Sequence, residues 1–225
     1  VRELSAHKKA ITCVAFARDG ARLAEAVHGG TVRLWNLTSG TVEHTLDASK
    51  GLFPNQVKLA FTVGGARLAT ANDRVRVFDL KSGDSTELPG TSAFNGLHVS
   101  PDGAELMGHG DALLRWSLAD GKKLPAYKLP AAGGGRKMFT FPGAAYSACG
   151  ALVAVARRAW GQGTGNVNTV FVLERAGSEV FAAFDSTGHD PKRLAFSPNG
   201  QWLAAACGPV LRVYDLTAKA EVATL

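Results

Sequence analysis

Apolar and polar residues alternate with a period of two through most of this 225-residue chain. ITCVAF (11–16), ARLAEAV (21–27), TVRLWNL (31–37) and TVEHTL (41–46) each read as a short strand, because that period puts alternate side chains on one face of a pleated sheet. The breaks between them carry turn chemistry: Asp19-Gly20, Gly29-Gly30 and Ser39-Gly40. A glycine there reaches positive φ without a Cβ clash, as a tight hairpin requires. No long stretch shows an apolar stripe at helical spacing, so helix is expected to be nearly absent.

The same grammar recurs five times. A turn ending in glycine reads FARDG at 16–20, FTVGG at 61–65, VSPDG at 99–103, YSACG at 146–150 and FSPNG at 196–200, with the glycines 45, 38, 47 and 50 residues apart. A closing phrase reads TVRLWNLTSG at 31–40, RVRVFDLKSG at 74–83, LLRWSLADG at 113–121 and LRVYDLTAK at 211–219, with a degraded copy, TVFVLERAG, at 169–177. A period near about 40–45 residues that closes on such a phrase signals a radial array of four-stranded sheets. Small residues crowd the second strands (LAEAV, LATAN, LVAVA, LAAAC), and bulk ends the third ones at Trp35, Phe78, Trp116 and Tyr214. Sheets that converge on a hub and diverge at a rim need side-chain volume to grow outward in this way, since their buried faces stack about 10 Å apart.

At these residues the chain resembles the WD-repeat (WD40) β-propellers, over essentially all of 1–225. The resemblance implies an all-β propeller of four-stranded antiparallel blades, about five in this chain, in a single domain. The repeats fall near 5–46, 47–88, 89–128, 129–184 and 185–225, with 1–4 as an orphan outer strand. In that family a His, a Ser or Thr, an Asp and the Trp form a hydrogen-bonded tetrad. Here it is eroded: His7 and Trp35 stand with Gly29 in place of the Asp, Asn72 and Asp73 with Phe78, Asp111 with Trp116, and His189 with Gly208 and Tyr214. A phenyl ring has no N–H to donate, so apolar packing is expected to carry most blades. The chain starts at Val1 without Met, and EVATL at 221–225 already supplies a fourth strand to the last repeat. The orphan strand then has no blade of its own, so the chain is expected to be a fragment of a larger propeller of about six to eight blades. A five-bladed ring or an open arc is the alternative, and an open arc would expose strand edges to self-association.

Net charge is +6 and the pI about 9.4, with a mild excess of cations at Lys122, Lys123, Lys128, Arg136, Lys137, Arg157 and Arg158. That balance permits weak attraction to nucleic acid or acidic proteins; scattered as it is, it also reads as a solvated surface. Cys13, Cys149 and Cys207 match no metal-ligand spacing. They read as small hydrophobes in a reducing compartment, a Cys13–Cys207 disulfide being the alternative. The six histidines make no pair at ligand spacing. His28 and His109 fall in corresponding hairpins and could meet near the channel mouth with Asp111, but a zinc site needs at least three converging ligands. GGGRK at 133–137 and GQGTG at 161–165 lack the strand–loop–helix setting of a phosphate loop, and no GxSxG elbow occurs. No catalytic residue, metal or cofactor is expected. No apolar run reaches the roughly 20 residues that span a bilayer, so no membrane role is expected and the default compartment is the cytoplasm.

The fourth repeat departs most. Pro125 to Lys137 is rich in Pro, Gly and cations, and ARRAWGQGTGNVN at 156–168 lengthens the middle hairpin. Excursions from a rigid scaffold often carry function, although extra loop length is also cheap in entropy. Exposed, Trp160 would anchor a partner; folded onto the blade it would be packing. The leading expectation is a non-catalytic scaffold for a protein or peptide partner. On the family's alignment one face collects Lys8, Lys9, His28, Asn72, Asp73, Arg74, Phe94, His109, Asp111, Trp160 and His189 as contact residues. The alternatives are a basic nucleic-acid-binding module, with Tyr127, Phe139 and Trp160 as stacking surfaces, and the accessory propeller of a larger enzyme such as a kinase or peptidase. The eroded tetrads predict modest stability: a thermal melt should show a midpoint well under about 90 °C, the threshold of hyperstability.

Overall fold

A computed structural model describes residues 4, 9–48, 56–131, 137–161, 164–186 and 188–225. Every sheet in it is antiparallel and strictly sequential. Blade 1 holds β1 (Ile11–Phe16), β2 (Arg22–Val27), β3 (Thr31–Asn36) and β4 (Thr41–Asp47). Blade 2 holds β5 (Lys58–Phe61), β6 (Arg67–Ala71), β7 (Arg74–Asp79) and β8 (Ser85–Thr91). Blade 3 holds β9 (Phe94–Val99), β10 (Glu105–Gly110) and β11 (Leu113–Ser117). Blade 4 holds β12 (Lys137–Tyr146), β13 (Leu152–Gly161), β14 (Thr164–Glu174) and β15 (Val180–Asp185). Blade 5 holds β16 (Pro191–Phe196), β17 (Trp202–Cys207), β18 (Val210–Asp215) and β19 (Ala220–Thr224). No α-helix occurs among the described residues. The orphan strand expected over residues 1–4 lies outside them, Leu4 apart.

Side chains close both kinds of hairpin. In the first, the second turn residue accepts the amide five positions on: Arg67 N–H donates to Thr62 Oγ1 (3.2 Å), Glu105 to Ser100 Oγ (2.9 Å), Leu152 to Ser147 Oγ (3.0 Å) and Trp202 to Ser197 Oγ (3.0 Å). In the last hairpin, Oδ1 of Asn36, Asp79 and Asp215 accepts the amides two and three positions on, at 2.7 to 3.0 Å. Short polar side chains that satisfy their own turn in this way explain why the closing phrase carries Asp or Asn after its aromatic residue.

Blades are joined face to face. The residue closing each third strand sits directly across from a branched apolar residue of the second: Leu68 opposes Phe78, Leu106 opposes Trp116, Val153 opposes Leu173 and Leu203 opposes Tyr214. Each of these pairs is buried against the preceding blade. The opposite face of the second strand carries alanine in blades 1 and 2, where Ala24 and Ala26 meet blade 2 and Ala69 and Ala71 meet blade 3; in blade 3 Met107 meets blade 4 instead. At the Trp position of the implied tetrad, polar contacts vary from blade to blade. Trp116 Nε1 donates to the Pro89 carbonyl of blade 2 (2.9 Å), and Trp35 Nε1 has no hydrogen-bond partner among the described residues. His7 of the implied tetrad is outside the described residues. The carbonyl of His189, rather than its ring, is what Asn168 and Ser186 hold (3.0 and 3.3 Å). All three cysteines are free, so Cys13 and Cys207 form no disulfide. The outward faces of blades 1 and 5 carry uncovered apolar side chains, with Phe16 at 66% exposure and Trp202 at 39%.

Blade 3 keeps three strands where four are expected. Residues 122–124 begin a fourth, with Ser117 N–H donating to Lys122 O (2.9 Å) and Leu124 N–H to Arg115 O (2.8 Å), and the chain then leaves toward blade 4. A buried ionic cluster takes over there. Arg115 forks onto Glu105 (2.7 and 2.8 Å) and donates to Pro125 O (2.9 Å), while its guanidinium lies over the Tyr127 ring at 3.8 Å. The hydroxyls of Tyr127 and Tyr146 donate to the same carboxylate (3.2 and 2.6 Å), and Arg175 of blade 4 pairs with Asp102. Burial alone would raise the Glu105 pKa. The hydrogen bonds from Arg115, and after them Tyr146, outweigh it and hold the carboxyl below its ordinary 4.5.

Removing one partner of such a pair leaves a buried charge, so Glu105→Ala should cost about 3–5 kcal/mol in urea unfolding at neutral pH. Because the folded-state pKa is depressed, the stabilisation is complete above 4.5 and lost as pH falls through the folded value. The stability gap between wild type and Glu105→Gln should therefore narrow as pH is lowered below 4.5.

Candidate functional site

The loops between blades and the second hairpins of each blade share one face because they hydrogen-bond to each other. Ser92 N–H donates to Asp73 O (3.0 Å), Phe94 N–H to Asn72 O (3.2 Å), Asp111 N–H to Ala93 O (3.2 Å) and His28 N–H to Ala10 O (2.9 Å). The residues expected to bind a partner divide sharply on this face. Lys9, His28, Arg74 and Asp111 are exposed, and His189 is partly so. Arg74 is tied to Glu87 at 2.7 Å. Lys8 lies outside the described residues.

Asn72, Asp73, Phe94 and His109 cannot offer side chains to a partner in this structure, since all four are buried. Asn72 Nδ2 donates to Ala48 O (3.1 Å), stapling blade 1 to blade 2. Phe94, 1% exposed, packs its ring at 6.0 Å from that of Trp116. Gly108 makes this possible, because a Cβ there would sit 2.7 Å from the Phe94 ring. His109 does not meet His28 or Asp111 at a rim. It turns inward and stacks on His98 of β9 (centroids 5.2 Å apart, planes 20° apart), with Nδ1 2.9 Å from Phe141 O. Gly96 clears its place, as a Cβ there would lie 2.3 Å from Nε2. No group of three metal-ligating side chains occurs among the described residues.

The insertion in blade 4 is not a loop but an extension of the sheet. Its first three strands run 10, 10 and 11 residues, against four to seven elsewhere. Met138 pairs with Trp160, and Phe139 with Ala159, which pairs in turn with Val167. The extension is anchored from below. Arg157 is buried, donates to Pro130 O and stacks on Phe171 at 4.6 Å, and Arg158 pairs with Asp190 at 2.8 Å. What it presents is apolar: Met138 is 63% exposed, Phe139 and Val167 are each 39% exposed, and Trp160 is half-buried beside the Arg158 guanidinium. Trp160 was legible from sequence as a residue of interest. Met138 was not, because only the strand register places it across from Trp160.

The inner strands enclose two cavities that share His98. One, about 260 Å³, is bordered by all five of them and includes Thr12, Lys58, Asn95, Gly143, Lys192 and Arg193. The other opens at the far ends of four inner strands and is lined by Phe61, Val99, Tyr146 and Phe196. Burial, reinforced by His109 and Arg193, pushes the His98 pKa down to about 3. Burial also pushes His109 down to about 4, with the contact to Phe141 O opposing it and the charges of Arg193 and Lys58 adding to it. Both imidazoles are neutral at physiological pH.

A family model for the WD domain, G-beta repeat, matches residues 1–36 and 183–215. Apoptotic protease-activating factor 1 of Homo sapiens is 28% identical over 109 residues, a stretch that is 45% of this chain and 9% of that protein. The same protein of Rattus norvegicus is 28% identical over 112 residues with the same coverage. The chain thus matches only a small part of the length of these relatives. Among solved structures, the Cps50 (Swd1) β-propeller domain of Myceliophteria thermophila superposes with a TM-score of 0.69 at 19% identity, over 91% of this chain and 65% of that one. A likeness at that identity reports the fold.

The close approach at Gly96 generates a direct test. Gly96→Ala should displace the His109 ring and cost about 1–3 kcal/mol as an overpacked site, read by urea unfolding, with the histidine ring-proton signals moving in NMR spectra.

Proposed function

We propose that this chain, a WD-repeat β-propeller, is a non-catalytic scaffold that presents the extended sheet of blade 4 to a protein partner. The observation that carries the reading is the cross-strand pair Met138–Trp160 on one face of the extension, on strands anchored by Arg157 and Arg158; Phe139 and Val167, in register with Ala159 between them, stand on its other face. Exposed apolar side chains grouped in this way mark an interaction site more than scattered ones do. A rigid sheet loses little ordering entropy on binding, so more of the contact energy appears as affinity. Trp and flexible Met are also the residue types that best fill a partner's pockets. Lys9, His28, Arg74 and Asp111 form a polar and charged rim beyond it, suited to steering more than to affinity.

The basic nucleic-acid reading is weakened by the placement of its parts. Tyr127 is wedged between blades, Arg157 is buried and Arg158 is paired, which leaves Phe139 and Trp160 as surfaces for a base. A nucleic-acid partner would show the steep fall of affinity with salt that phosphate contacts produce.

Cross-linking and affinity capture with wild type and with the pair Met138→Glu/Trp160→Ala tests the scaffold reading. Partners that bind through blade 4 should be lost from the double variant, with each purified partner at least about 30-fold weaker, the equivalent of a hot-spot loss near 2 kcal/mol. The fold should persist, read as an unchanged β-sheet circular dichroism spectrum, with a small fall in melting temperature because Trp160 is half-buried against Arg158. Retention of every partner at full affinity would remove the extension from the binding surface.

A further inference from the structure

The cavity bordered by all five inner strands has a composition unlike the rest of the molecule. Lys58, Lys192 and Arg193 face it, and no Asp or Glu lines it. Several arginines elsewhere are paired with a carboxylate: Arg74 with Glu87, Arg158 with Asp190, Arg175 with Asp102 and Arg212 with Glu221. None of the three cavity cations engages a carboxylate among the described residues. They come from β5 and β16, which chain order separates by more than a hundred residues, so only the tertiary arrangement of the inner strands brings them together. The ring of His98 also borders the cavity and makes no hydrogen bond among the described residues. Three like charges around one half-open cleft, with apolar blade interfaces behind it, make a local positive field that no carboxylate in the lining offsets. After burial, the charge of Arg193 disfavours protonation of both His98 and His109, and that of Lys58 disfavours protonation of His109.

We propose that this cavity is an oxyanion site that takes a phosphate group, held by Arg193, Lys58 and Lys192, with the His98 ring and the Asn95 amide as neutral hydrogen-bond donors. The planar fork of an arginine and two ammonium groups match the several acceptor oxygens of a phosphate. At about 260 Å³ the cavity falls below the roughly 300–1,000 Å³ of pockets for drug-sized ligands, so it fits one compact group. That group arrives either on a free phosphate compound or on a phosphorylated side chain inserted from a partner. The site lies in the hub and does not depend on the blade 4 surface.

Pyrophosphate is the probe, titrated into the protein by calorimetry at ionic strength matched with sodium chloride. One saturable site is expected, with a rise in melting temperature at saturating pyrophosphate and movement of the His98 ring-proton signals. Arg193→Gln and Lys58→Gln should each weaken binding by about tenfold or more, whereas Lys122→Gln/Lys123→Gln, on the exposed stretch after blade 3, should leave it unchanged. A phosphoserine peptide and its unphosphorylated form distinguish the sources. Competition by the phosphopeptide alone assigns the group to a partner's side chain, and pyrophosphate binding without it assigns a free compound. Absence of saturable binding to the unaltered protein, or equal weakening by the Lys122/Lys123 variant, would overturn the proposal. The melting and ring-proton readouts on the unaltered protein decide it even if a variant misfolds.

Discussion

Everything in this molecule depends on how one blade's face is pressed into the next. The residue closing each third strand and the branched residue across from it form a two-side-chain wedge, and the alanines of the neighbouring second strand receive it. Close packing makes this demanding. A larger residue at Ala69 or Ala154 would push the wedge out, and a smaller one at Trp116 would leave a void. In the wedge itself hydrogen bonding is minor: the Trp116 indole reaches Pro89 O, while the Trp35 indole has no partner among the described residues. The repeat therefore tolerates Phe78, Leu173 and Tyr214 at the Trp position, since what the position supplies is volume rather than a donor.

Blade 3 shows what happens when the chain must leave that plan. Having begun a fourth strand at 122–124, it crosses early to blade 4 and buries Tyr127 on the way. The carboxylate of Glu105 then organises the junction through Arg115, Tyr127 and Tyr146, with Arg175 and Asp102 as the outer layer. A charge cluster so thoroughly hydrogen-bonded is tolerable in the interior because no member is left unpaired. It also fixes the base from which the long strands of blade 4 project. The apolar surface and its support thus belong to one continuous departure from the repeat.

The expected contact face was legible only in part. Its loops do come together, because backbone groups of the second hairpins satisfy those of the inter-blade connections. Membership of a loop, however, does not say which way a side chain turns. Phe94 and His109 point inward, and the reason lies in glycines on adjacent strands: Gly108 makes room for one ring and Gly96 for the other. FNGLH at 94–98 and MGHG at 107–110 contain that signal, but its meaning requires knowing which glycine faces which ring.

The sequence by itself determined the five repeats, the strand order within each blade and the turn chemistry, because all of these depend on neighbours within a few dozen residues. Alternation sets the buried face of a strand, glycine sets the hairpin, and Asp or Asn caps the last turn. The tertiary structure decided the rest. It turned the 156–168 insertion into an extension of the sheet, since β12 added a third strand to the hairpin. It set Met138 beside Trp160 through a register that no local pattern specifies. It gathered Lys58 and Arg193 around one cavity from distant points in the chain. Such features rest on how the inner strands of separate blades are set against one cavity, and alternation along a single strand carries no information about that.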